Sequence, residues 1–233
     1  MKTLKYSHSA KGKLASCCIA FLASLSISCS LYSQSESKRP VREEDYSLWG
    51  LLTEPALSPN GDWLAFLMQY DDNPDTLIVR HTSNNRTWKI PNAIYGKFSG
   101  RQQYAAINDK NVLQLLDLST GTKQSFNDVH SFSISSNSNH LITLEGTEGK
   151  TSICIRDKNG RMMERLEGLT HYKLNEQGTA MLCLGNADGK GQIALVHLGK
   201  QITKKIIAEG ITQSFSQPVW SSSGKSLAFI IED

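Results

Sequence analysis

The stretch "ALSPNGDWLAFL", Ala56 to Leu67, sets a turn-forming Ser-Pro-Asn-Gly directly against an apolar run. These residue types tolerate or pre-set the backbone angles of a tight reversal, so by itself the stretch reads as a β-hairpin. The pattern returns, however. Aligned on the apolar residue before the turn, it recurs at Leu57, Phe98, Ile134, Leu174 and Trp220, at intervals of 41, 36, 40 and 46 residues. Seven residues beyond each anchor stands another apolar residue: Leu64, Ala105, Leu141, Met181 and Leu227. The next two columns read Ala65, Ala106, Ile142, Leu182, Ala228 and Phe66, Ile107, Thr143, Cys183, Phe229. Self-similarity at a period near 40 residues marks a repeat architecture.

Each unit follows one plan. A short strand meets the turn, and a second, apolar strand follows ("WLAFLMQY", "HLITLEG", "AMLCLGN"). A third lies beyond a polar loop ("TLIVRHT", "TSICIRD", "IALVHLG"), and a more polar fourth closes the unit ("RTWKIPN", "RMMERLEG"). After residue 50 no segment carries an apolar stripe of helical period. Four-stranded units of this length predict an all-β fold, a β-propeller of antiparallel blades. A single such sheet has two partly apolar faces, and stacking sheets around an axis buries them against each other. The expected blades are about 54–93, 94–129, 130–168 and 169–210. The first two strands of a fifth follow over 217–233, so the propeller is expected to be partial; a complete five-bladed ring is the other arrangement the count leaves open.

The N-terminal 29 residues read as a signal peptide. Lys2, Lys5, Lys11 and Lys13 lead into the apolar run "LASCCIAFLASLSI", Leu14 to Ile27. That run matches a signal-peptide core and falls short of the ~20 residues a membrane-spanning helix needs. "SISC", ending at Cys29, resembles a lipoprotein box with Ser26 where Leu is usual, which makes Cys29 a candidate lipidation site; ordinary cleavage near "LYSQ" is the alternative. Either route predicts an exported protein, periplasmic or associated with the outer membrane of a Gram-negative cell envelope, meeting the membrane only through its leader or a lipid. A lead-in segment, 30–53, follows. Without the leader the chain holds 21 basic and 22 acidic side chains, which excludes the clustered positive charge that nucleic acid requires.

Motifs that carry chemistry are few. No G-x-S-x-G nucleophile elbow occurs in the sequence. "SSSGKS", 221–226, ends like a phosphate loop, but Val219 stands where the first glycine belongs. His81, His130, His140, His171 and His197 are scattered over different units and read as surface or loop residues. Asp71, Asp72 and Asp75 form an acidic loop, read as solvated. Cys154 and Cys183 sit inside apolar alternations and read as small buried hydrophobes, without metal-type spacing. His171 and Glu54 begin innermost strands, near the axis of a propeller. No catalytic, cofactor-binding or metal-binding residue is assigned, and no cofactor is expected.

The segment 45–93 resembles the start of exported serine peptidases of the prolyl oligopeptidase family, of the kind found in Bacteroidetes. Asp45, Tyr46 and Trp49 match an Asp-Tyr-x-x-Trp lead-in, and Leu57, Ser58, Pro59, Gly61, Trp63 and Leu64 match the family's first blade, with Asn60 replacing its usual Asp. "PVWSSSGKSLAF", 218–229, is similar to the general periplasmic propeller repeat. The resemblance implies a propeller that gates access of peptides to a C-terminal α/β-hydrolase domain carrying Ser, Asp and His. None of that domain lies in this chain, so no catalytic residue carries over. A stand-alone envelope propeller that binds a protein or glycan partner is the alternative.

Overall fold

The computed structural model describes residues 40–232, apart from 72, 138, 148, 149 and 188. The leader and Cys29 lie outside the described residues, as does Asp72. By internal contacts the chain divides between Asp45 and Tyr46, and among the described residues all the strands belong to the second unit. A short 3-10 helix, Glu43–Leu48, precedes them.

The strands form antiparallel sheets of consecutive segments. Blade 1 comprises β1 (Gly50–Leu57), β2 (Trp63–Tyr70), β3 (Thr76–His81) and β4 (Thr87–Pro91). Its first strand reaches back into the segment read as lead-in. Blade 2 comprises β5 (Ala93–Ser99), β6 (Gln103–Asn108), β7 (Leu113–Asp117) and β8 (Lys123–Phe126). Blade 3 holds β9 (Val129–Ile134), β10 (His140–Thr147), β11 (Lys150–Asp157) and β12 (Met162–Glu167). Blade 4 holds β13 (Leu169–Leu174), β14 (Ala180–Ala187), β15 (Lys190–Leu198) and β16 (Ile202–Gly210). The last sheet has two strands, β17 (Ser214–Trp220) and β18 (Leu227–Glu232). The fold is therefore the expected one: four full blades and a partial fifth.

The strand register corrects the sequence alignment in one blade. Leu57 pairs with Leu64, Ile134 with Leu141, Leu174 with Met181 and Trp220 with Leu227, each seven residues apart. In blade 2, however, Phe98 pairs with Tyr104, so Tyr104 rather than Ala105 occupies the column of Leu64. The hairpin there closes one residue earlier, at Ser99 opposite Gln103, around Gly100 in the left-handed region at φ 66°. Because side chains alternate along a strand, a slip of one residue exchanges the two faces.

With that correction the seams fall into order. Ala65 of blade 1 and Tyr104 of blade 2 share one core. Ala105 of blade 2 shares the next with Leu141 of blade 3, and Ile142 of blade 3 shares a third with Met181 of blade 4. One face of each blade thus meets the blade before it and the other meets the blade after. Buried aliphatic side chains contribute about 1.5–3 kcal/mol each, so these seams supply the main stabilisation. The two ends of the series are barer: β1 carries no buried residue, and neither do β17 and β18.

His140 departs from the reading of the histidines as surface residues. It lies one place before the paired column and is 5% exposed, as Trp63 and Ala180 are at the same place in blades 1 and 4. Its ring reaches across the seam, with Nε2 at 3.1 Å from the carbonyl oxygen of Gly199 in blade 4.

Candidate functional site

Every innermost strand carries a β-bulge. The register shifts between Thr53 and Ala56 in β1, Ala93 and Tyr95 in β5, and Leu169 and His171 in β13. It shifts again between Ser216 and Val219 in β17, and β9 accommodates an extra residue, His130, between Val129 and Ser131. A bulge bends its strand and re-aims side chains, and bulges recur beside functional sites. In β1 and β17 the bulge holds Glu54 and Gln217 in the left-handed region, both at φ 51° and both immediately before a proline. Neither residue type favours that conformation, and the position before proline disfavours it further.

The residues three places before each anchor are Glu54, Tyr95, Ser131, His171 and Gln217. All five side chains are exposed. They bring a carboxylate, a phenol, a hydroxyl, an imidazole and an amide to the same level of successive blades, a lining suited to hydrogen-bonding a polar chain. Burial, followed by the nearby Tyr95 and Glu54, pushes the phenol of Tyr104 far above its ordinary value. Tyr172 of blade 4 is likewise raised by burial, against hydrogen bonds with Ser133 and Ser131 of blade 3 that act the other way. The Tyr95 ring lies tilted against that of Phe132, at 5.3 Å between ring centres. These contacts join blades 1 to 4 around the inner strands. The repeated Glu54-Pro55 and Gln217-Pro218 were the sequence signal for this column; only Glu54 and His171 stood out without the structure.

The remaining sequence candidates do not converge. Ser83 Oγ lies 3.3 Å from His81 Nδ1, but the backbone N–H of Ser83 donates to that same nitrogen, so the contact closes a turn. His130 Nε2 meets the carbonyl oxygen of Gly146 at 2.7 Å, and His171 Nδ1 meets Thr170 Oγ1 at 3.0 Å. His197 is exposed on β15. Asp75 accepts the backbone N–H of Tyr70 and so ties its own loop. Among the described residues no three His, Cys, Asp or Glu side chains gather where they could hold a metal ion, and no helix is long and apolar enough to cross a membrane.

A buried ionic cluster lies between blades 2 and 3. Arg156 of β11 stacks on the Phe126 ring of blade 2, 4.4 Å from its centre. Its guanidinium forms a two-pronged ion pair with Glu145 and donates to Thr143 Oγ1 at 2.8 Å. Burial pushes the Glu145 carboxyl up, but the hydrogen bonds from Arg156 and Thr143 and the Arg156 charge outweigh it and hold the group below the usual carboxylate range. Cys154 and Cys183 are buried and unpaired.

No known family profile matches the chain, and no curated protein matches it by sequence. Solved structures do match in fold. A eukaryotic initiation factor is 14% identical with a TM-score of 0.56, over 76% of this chain and 47% of that one. The uncomplexed acylaminoacyl peptidase of Pyrococcus horikoshii is 12% identical with a TM-score of 0.50, over 82% of this chain and 37% of the peptidase. The propeller domain of the trilobed protease from Pyrococcus furiosus is 15% identical with a TM-score of 0.48, over 80% of this chain and 69% of that domain. The chain spans about half the length of the first of these and just over a third of the second. At such identities the likeness shows the fold alone. The protein is a β-propeller of antiparallel four-stranded blades, and its structural neighbours include an acylaminoacyl peptidase.

Proposed function

We propose that this chain is the substrate-gating propeller of an exported serine peptidase of the prolyl oligopeptidase family, working in the bacterial cell envelope. One observation carries the reading: the Asp45-Tyr46-x-x-Trp49 lead-in runs directly into the "LSPNGDWL" first blade, in the order that family uses. Tyr46 and Trp49 pack edge to face at 4.7 Å, although both remain about half exposed. The fold-level likeness to a peptidase propeller is in keeping with this role. So is the polar inner column from Glu54 to Gln217, which suits passage of peptide backbone rather than of an apolar ligand. The propeller supplies selection and orientation, and the nucleophile, base and acid belong to a hydrolase domain that follows it.

The test is activity-based labelling with a fluorophosphonate. The 233-residue chain is expected to remain unlabelled, and the product of the gene's complete reading frame to be labelled at a single serine beyond residue 233. A reading frame that closes at Asp233, with a stable monodisperse product, overturns the peptidase reading in favour of a partner-binding envelope propeller.

A further inference from the structure

Asn-Gly occurs twice in the sequence, at Asn60–Gly61 and Asn159–Gly160. In this dipeptide the asparagine side chain reacts most readily with its own backbone, because the following nitrogen is not screened by a Cβ and its residue turns freely. Asparagine is thermolabile for this reason. Both pairs close tight turns. Their glycines sit in the left-handed region, at φ 75° and 80°, and each glycine N–H donates back across its turn, Gly61 to the Ser58 carbonyl and Gly160 to that of Asp157. The backbones are thus alike, and the side chains differ.

The Asn60 amide is pinned at both ends. Its Oδ1 accepts from Ser58 Oγ at 2.8 Å and its Nδ2 donates to Asp62, while Ser58 is buried and also accepts the backbone N–H of Trp63. To reach the Gly61 nitrogen, Asn60 Cγ has to leave both partners. Asn159 is exposed in the turn between β11 and β12. Its backbone N–H donates to Asp157 Oδ1 at 2.9 Å, but its side-chain amide has no hydrogen-bond partner among the described residues. Asp157 Oδ1 accepts the N–H of Arg161 as well, so the aspartate holds the turn and the Asn159 amide swings freely.

This turn rests on blade 2. A Cβ at residue 160 would collide with the Gln124 side chain and meet the Phe126 ring at 3.0 Å, so Gly160 seats directly on β8, beside the ring that carries Arg156. Asn159 also lines a cleft of about 330 Å³, which Gln103, Leu115, Asp117 and Gln124 of blade 2 close from the other side.

We propose that Asn159 is a self-modification site, which converts to aspartate and isoaspartate in the folded chain while Asn60 persists. The Gly160 nitrogen gives its proton to solvent base and attacks Asn159 Cγ; the C–N bond of the side-chain amide breaks and ammonia leaves. The resulting five-membered imide takes up one water and opens at either carbonyl, to aspartate or to isoaspartate. Either product sets a carboxylate into the cleft that Asp117 lines. Isoaspartate also adds a methylene to the main chain and so lifts Gly160 from Phe126. The contact between blades 2 and 3 at their rim therefore weakens as the protein ages. The proposal stands independently of the peptidase reading.

Incubation of the 233-residue chain at mildly alkaline pH tests it, followed at intervals by peptide mass spectrometry and isoaspartyl methyltransferase labelling. Conversion at residue 159 is expected to run about tenfold or more faster than at residue 60, the effect of the two hydrogen bonds that hold the Asn60 amide. In urea, where both turns are lost, the two rates should converge. Asn159→Gln, whose longer side chain does not close the five-membered ring, should abolish conversion at that position. Aged chain, separated from fresh by ion exchange, should unfold at a lower urea midpoint, and the Asn159→Gln protein should show no such drift. Comparable rates at the two sites in the folded chain, conversion at Asn60 alone, or none at Asn159 overturns the site. An unchanged midpoint in the aged chain overturns its effect on the rim.

Discussion

The far end of the Trp88 indole, on the outermost strand of blade 1, reaches Gly121 of blade 2, so that any Cβ at residue 121 would collide with the ring. Trp88 Nε1 also donates to the carbonyl oxygen of Leu118 at 3.2 Å, and Gly121 holds φ at 80°. The seam is thus closed at its rim by one ring seated on one turn. Gly121→Ala adds both a collision and an unfavourable backbone conformation and should cost about 2–4 kcal/mol. Trp88→Ala removes a half-buried indole and should cost about 2–3 kcal/mol. Urea unfolding midpoints of the two variants and of the double variant measure both. Because the two residues touch, the costs should fall well short of additive.

The Glu145–Arg156 pair should show the asymmetry of buried ions. Glu145→Gln leaves a buried guanidinium without its counter-charge and should cost about 3–5 kcal/mol. Replacing both at once, Glu145→Leu with Arg156→Met, should restore most of the loss, because the desolvation of two charges is avoided. The sign with pH follows from the direction of the shift. The folded carboxyl is held below its ordinary value, so its stabilisation is present above the unfolded value and is lost as pH falls through the folded one. The acid limb of a stability–pH profile should therefore be shallower in the double variant than in the parent.

The two buried thiols should be inert in the native state. Burial pushes Cys154 up to about 11, helped by the Glu145 charge, and Cys183 up to about 12. Since the thiolate is the reactive species, a thiol reagent at mildly alkaline pH should modify neither until the chain unfolds. The linkage runs opposite to that of Glu145. Raised folded values mean that stability is full below the unfolded thiol value and declines as pH rises toward 11, which thermal melts across the alkaline range would record.

Glu54 and Gln217 hold the same left-handed geometry ahead of a proline in two blades. If that conformation is kept for the side chain it displays, relief of strain should stabilise the fold. Glu54→Gly and Gln217→Gly are each expected to leave stability unchanged or raise it by up to about 1 kcal/mol, while the alanine variants lower it. A loss of stability in both glycine variants would assign the two side chains a packing role instead.

Much of this architecture was legible in the residues. The turn chemistry before Trp63 and the alternation after it act over a few positions, and their return at Ile134, Leu174 and Trp220 identified blades. Blade 2 marks the limit. "SGRQQY" has the same polar character as the other spacers, and nothing in its letters shows that Ser99 pairs with Gln103 one residue early. Only the pairing places Tyr104 on the face toward blade 1. His140 shows the same limit, because its letter suggests a surface site and its position, one place before the paired column, buries it.

The sequence by itself thus determined the repeat, the strand order within each unit and the all-β class, because these rest on local turn preference and on the two-residue period of a strand. Only the tertiary structure decided which face of each blade meets which neighbour, and that Arg156 finds Glu145 beneath Phe126. Those outcomes depend on what the adjoining blade presents, and a one-residue difference in a turn is enough to exchange them.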